Sequence, residues 1–253
     1  MEEATRNTII VNAFGGPGAG KTTAAWGIAS ELKKLGLVVE YVPEYAKELV
    51  WDERMDLLDG SIENQLILSS VMKQRVDRLI GKVDIIVTDS PLLMSGVYLN
   101  EKISDEERKD FQDLVFNTWN SYNNFNFFVK RNSNPRAFEK EGRIHSLEES
   151  KKVDDGIRGL LAEREIYYGI YEQTQLNQIA KNIKVHFEKS IGEKSIASSK
   201  VDTEQATERQ IGYAKGIAKA LKKEPPSSDV KSVKKFITDN HREYQHKMRL
   251  KTR

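Results

Sequence analysis

The chain contains no cysteine. That excludes disulfides, thiolate catalysis and cysteine-based zinc sites. Its four histidines, His145, His186, His241 and His246, are scattered without metal-ligand spacing. No apolar run approaches the roughly 20 residues needed to span a bilayer. The opening MEEATRN lacks the basic and apolar segments of a secretory signal. From these absences we expect a cytoplasmic protein with no membrane partner. Net charge is also small, +2, but it is unevenly spread. Residues 203–253 hold 13 Lys/Arg and 6 Asp/Glu, net +7, whereas residues 1–202 carry net −5. An acidic body with a basic tail suggests a polyanionic partner.

At 253 residues the chain has room for one full α/β domain and a small appendage. Its most informative segment is TIIVNAFGGPGAGKTT, residues 8–23. An apolar run ends in a glycine-rich turn and continues into a helix-forming stretch. Gly15, Gly20, Lys21 and Thr22 satisfy G-x-x-x-x-G-K-[ST] at every fixed position. Glycines let the backbone curl so that successive N–H groups face phosphate oxygens. The following helix adds its positive N-terminal end. Residues Gly15, Gly16, Pro17, Gly18, Ala19, Gly20, Lys21, Thr22 and Thr23 are thus expected to cradle ATP or GTP. Lys21 is expected to reach the β/γ-phosphates and the Thr22 hydroxyl to hold Mg²⁺.

Apolar, β-branched runs at residues 8–14, 38–43, 84–89, 125–130 and 183–187 read as buried parallel strands. Helical spacing covers residues 21–35, ending before Gly36, and 62–80, closed by Gly81. Ser104 with Glu107 forms a capping-box pattern ahead of a helix reaching about Tyr122. Residues 162–180 read as a further helix before the last strand. This alternation predicts an α/β fold, a doubly wound parallel five-stranded sheet with helices on both faces. We expect that domain over residues 1–190, a linker over 191–206, and a small basic helical module over 207–253 broken at Pro225 and Pro226.

Ligands of such sheets bind at the carboxyl ends of the strands. Glu44, in VPEYAKE, ends the second strand. It can take a proton from an attacking hydroxyl or order Mg²⁺; equally, it can pair with a lysine or cap the next helix. Asp89, in IIVTDSP, ends the third. It suits Mg²⁺ opposite Thr22 or an acceptor hydroxyl, or else a turn or helix cap. Arg131, Arg136 and Arg143 follow the fourth strand among turn formers. They read as a lid whose arginines reach phosphate, or as a solvated charged loop. Asp154 and Asp155, on the next helix, can order these arginines by ion pairing. Tyr41, Trp51, Trp119 and Tyr122 can stack on a base or sit in the core.

GGPGAGKTT, VPEYAKE and IIVTDSPLL, with the NPRAFEKEGR segment and the Asp154 helix, resemble the small P-loop kinase-type ATPases of bacteriophage genomes. These are similar to ribosylnicotinamide kinase domains and, more distantly, to deoxynucleoside kinases. The resemblance covers roughly residues 5–190 and implies a P-loop NTPase fold with ATP and Mg²⁺ as cofactors. It implies a general-base role for Glu44 and catalytic roles for Lys21, Asp89, Arg136 and Arg143. TDSP stands where deoxynucleoside kinases carry a Glu-Arg-Ser type motif, so their acceptor pocket is not transferred. The tail resembles a short helical module of DNA topoisomerase and primase-like proteins, through Thr207, Gln210, Ala214, Ile217, Ala218, Leu221, Phe236 and Ile237. Phage kinases of this build include enzymes that phosphorylate 5-hydroxymethyluracil within DNA. The expected partner is therefore DNA carrying a hydroxymethylated pyrimidine, with the host cytoplasm as location. A free nucleoside, nucleotide or ribosylnicotinamide acceptor is the alternative, and a partner-directed regulatory ATPase is a third. The sequence sets no oligomeric state.

Overall fold

The computed structural model describes residues 6–132 and 146–197, and beyond them only Lys215, Ala218, 222–227, Ser232, Phe236 and Asn240. Strand β1 (Ile9–Phe14) is buried along its whole length, because it lies in the middle of the sheet with helices on both faces. Around it stand β2 (Val39–Val42), β3 (Ile85–Thr88), β4 (Asn123–Val129) and β5 (Gly169–Tyr171), in the order β2-β3-β1-β4-β5. Every pairing is parallel; Ile9 aligns with Ile85 on one side and Asn123 on the other. The five-stranded α/β sheet expected from sequence is the fold observed.

The two-residue period of β1 splits the core into two layers. Ile10 and Phe14 point into one, with Met72 of α3 (Ile62–Asp77), Phe111 and Trp119 of α4 (Asp105–Trp119), and Ile157 and Leu161 of α5 (Leu147–Glu163). Ile9, Val11 and Ala13 point into the other, with Ile28 and Leu32 of α1 (Lys21–Lys34) and Ile183 and Phe187 of α6 (Leu176–Ala197). The short helix α2 (Tyr45–Trp51) packs through Leu49 on Leu57 and Leu68. The Ser104–Glu107 capping box is present at α4, and a second, Ser146 with Glu149, opens α5. Gly36 closes the first helix at φ +85.

One part of the strand reading is corrected. Residues 183–187 lie inside α6, and the fifth strand is Gly169–Tyr171, within the stretch 162–180 expected to be helical. Ile179, Ala180, Ile183 and Phe187 repeat at helical spacing and all face the sheet. The true strand has three residues and pairs with β4 alone, too short to show any period. Helix α6 continues through residues 191–197, where a linker was expected; residues 198–206 lie outside the described residues. In the tail, Pro225 and Pro226 stand in non-helical backbone and Ala218 is buried. Thr207, Gln210, Ala214, Ile217, Leu221 and Ile237 are outside the described residues. No helix among those described is long and apolar enough to cross a membrane.

Candidate active site

The carboxyl end of β1 runs into the glycine-rich loop, and α1 begins at Lys21. Gly20 takes the N-cap position at φ 94, a left-handed conformation that glycine adopts without steric cost. Lys21 is only 7% exposed, and its Nζ donates to the Gly16 carbonyl at 3.0 Å. The ammonium is thereby held inside the loop's curl.

Thr22 Oγ1 donates to Asp89 Oδ2 at 2.5 Å, joining the start of α1 to the end of β3. Asp89 is 2% exposed, and its Oδ1 is buried without a hydrogen-bond partner among the described residues. An orphaned carboxylate oxygen beside a hydroxyl is the donor set a hard divalent cation takes. The local turn is closed instead by Thr88, whose Oγ1 accepts from the Ser90 amide at 3.1 Å. Asp89 is thus left facing the loop. Tyr41 stands alongside: burial, then the Asp89 charge, pushes its hydroxyl above the usual tyrosine value.

Glu44 is the N-cap residue of α2, yet its side chain makes no capping hydrogen bond. It lines a cavity of about 510 Å³ shared with the phosphate loop. The far wall of this cavity comes from α2, the turn leading into α3, α3 itself and the turns after β3: Lys47, Asp59, Gln65, Leu68, Met72, Ser90, Met94, Tyr98 and Asn100. Gln65 and Tyr98 were missed in the sequence. Gln65 is 4% exposed. Tyr98 is half-buried; desolvation, then the Glu44 and Asp154 charges, raises its hydroxyl, and Arg131 opposes this. The wall is fixed by bonds between its elements. Arg75 of α3 makes a bidentate pair with Glu48 of α2 at 2.7 and 2.6 Å and lies over the Tyr45 ring. The Asn100 amide donates to Gly60 at 3.0 Å.

Arg131 does pair with Asp154, as the charge pattern suggested, with Nε donating to Oδ2 at 2.8 Å. Arg136 and Arg143, and the lid they would form, lie outside the described residues. Of the aromatics, Trp119 is in the core and Trp51 is exposed.

The sequence matches the AAA domain family over residues 10–178, most of the chain's 253 residues, and the chain belongs to this family of P-loop NTPases. It is also similar to the solved structure of the NadR protein in complex with NR. That likeness is one of fold, with a TM-score of 0.52 and 16% identity, covering 65% of this chain and 45% of NadR. Among curated proteins it is 24% identical over 151 residues to the CRISPR-associated endoribonuclease Cas13a of Leptotrichia buccalis. That match covers 57% of this chain, which spans 12% of the length of Cas13a.

Proposed function

We propose that the protein is an ATP-dependent kinase that passes the γ-phosphoryl group to a hydroxyl of a nucleoside-type acceptor. The carrying observation is one cavity that holds both Lys21 and Thr22 of the phosphate loop and, across from them, Glu44, Gln65 and Tyr98. A nucleotide switch needs only the first set; a group-transfer enzyme needs both. In this reading the Lys21 ammonium and the loop amides of Gly18 and of Gly20 to Thr23 bind the phosphates and stabilise charge developing on them, the Gly16 and Ala19 amides being engaged within the protein. Glu44 accepts the proton of the acceptor hydroxyl. Thr22 and Asp89 would hold Mg²⁺, which when bound neutralises charge on the β/γ-phosphates. Arg136 and Arg143 contribute from the segment after β4. The domain would reach the end of α6 at Ala197, past the boundary at 190 expected from sequence, with residues 207–253 as a separate basic module.

The acceptor we propose is the hydroxymethyl group of 5-hydroxymethyluracil in DNA. The family resemblance and the net +7 of residues 203–253 support it. The base would have to leave the stack to enter the cavity. A free nucleoside acceptor is favoured by a different observation. Among the described residues, the acceptor wall carries Glu44 and Asp59 against one cation, Lys47, which suits an uncharged small molecule better than a phosphate backbone.

The test uses γ-labelled ATP and Mg²⁺ with duplex DNA, with and without 5-hydroxymethyluracil, and with a panel of free nucleosides and nucleotides. Label on the modified DNA alone supports the DNA acceptor; label on a small molecule alone supports the metabolic kinase. Hydrolysis without transfer to any acceptor overturns the kinase reading. Glu44→Gln is expected to lower transfer by about 10² to 10⁴-fold at unchanged ATP affinity; full turnover would remove Glu44 as the base.

A further inference from the structure

The phosphate loop is gripped from behind by α5, far from it in sequence. Asp154 of α5 accepts the Gly16 amide on Oδ1 at 2.5 Å and Arg131 Nε on Oδ2 at 2.8 Å. Arg131 then donates Nη1 to the Pro17 carbonyl at 3.0 Å and Nη2 to the Ser150 carbonyl at 3.3 Å. The loop, the end of β4 and one face of α5 therefore meet at a single carboxylate. Both charged side chains are nearly buried, at 14% and 13% exposure. The other side of Gly16 is held too. Its carbonyl accepts from Lys21 Nζ at 3.0 Å and from the Ala19 amide at 3.2 Å.

The glycine itself records this contact. Position 16 is unrestricted in the loop motif, yet a Cβ there would collide with the Ser150 carbonyl and come within 2.9 Å of Asp154 Oδ1. Space, not backbone conformation, requires glycine. The guanidinium has donors on three partners, so in this arrangement it braces the loop and does not reach outward as a ligand.

We infer that Asp154 is a positioning residue for nucleotide binding: by holding the Gly16 amide and orienting Arg131 onto Pro17, it keeps the phosphate loop in its binding shape before nucleotide arrives. This rests on the reading that nucleotide phosphates sit in this loop. A preformed loop avoids an ordering cost on binding, and the charge-assisted hydrogen bonds of Asp154 and Arg131 contribute to that order.

The experiment measures ATP and ADP affinity by calorimetry for the full chain and for Asp154→Ala, Asp154→Asn and Arg131→Ala. Thermal unfolding and the amide ¹H–¹⁵N spectrum are recorded alongside. Asp154→Ala is expected to weaken both nucleotides about tenfold to a hundredfold, the range for losing a charge-assisted hydrogen bond. Asp154→Asn keeps an oxygen for the Gly16 amide and should recover much of that loss. The Gly16 amide proton is expected well downfield in the parent, from its short bond to a carboxylate, and should move upfield in the alanine variant and less in the asparagine one. Unfolding of the alanine variant would leave the asparagine variant and the Gly16 resonance as the decisive readouts. ATP bound by Asp154→Ala as tightly as by the parent, or more tightly, overturns the inference; the second result would make Arg131 a phosphate ligand that Asp154 restrains. A parent chain that binds no ATP would instead sink the reading of the loop itself.

Discussion

Asp89 and Tyr41 show how one buried carboxylate organises its neighbours. Asp89 accepts from Thr22 and leaves Oδ1 open, while its charge, after burial, keeps the Tyr41 hydroxyl protonated. Tyr98 is held protonated mainly by desolvation and then by Glu44 and Asp154. Both hydroxyls have a folded value above the ordinary tyrosine value of about 10. Above that pH the unfolded chain loses protons that the folded chain keeps. Stability therefore falls as pH rises past about 10, by up to about 1.4 kcal/mol per pH unit for each tyrosine. Urea midpoints between about pH 8 and 11 would measure this, and Tyr41→Phe with Tyr98→Phe should make the decline shallower. An unchanged slope in the double variant would mean that neither hydroxyl is perturbed. The desolvation that sets these shifts was not legible in the sequence, where Tyr41 read as a core residue more readily than as a stacking one.

At the scale of elements, most of the sheet was legible because buried parallel strands are continuous apolar runs. The runs at 38–43 and 84–89 enclose β2 and β3, and each ends where the site begins. The run at 183–187 was misleading, since Ile183, Val185 and Phe187 also fit a two-residue alternation. Packing on α1 and the sheet selects the helix: Ile183 is 0% exposed and Val185 50% exposed. A strand would place both on one face. Ile183→Ala should cost about 2 to 5 kcal/mol in urea unfolding and Val185→Ala under about 0.5. Comparable losses at the two positions would argue for strand.

At the scale of the whole molecule, an acidic body carries a basic tail, and sequence composition alone reveals it. Neutralising tail charge in the full chain tests its purpose. Lys231→Gln with Lys234→Gln and Lys235→Gln should weaken duplex DNA binding and lower the slope of log affinity against log salt by about 3. ATP affinity should stay unchanged. A slope equal to the parent's would remove the tail from DNA binding. Such a slope would also favour the free-nucleoside acceptor.

The sequence by itself determined the phosphate loop, the first four strands of the parallel sheet and the strand-end placing of Glu44 and Asp89. Each follows from local rules, namely a glycine spacing, an apolar run, and a ligand rule that acts where a strand stops. Only the tertiary structure decided the brace on Gly16 and the Gln65–Tyr98 wall. Gly16 and Asp154 are 138 positions apart, and their hydrogen bond exists only because α5 packs on the sheet with Ser150 and Asp154 on its inward face. Contacts of that range depend on how helices are laid across strands, and no spacing within either segment encodes them.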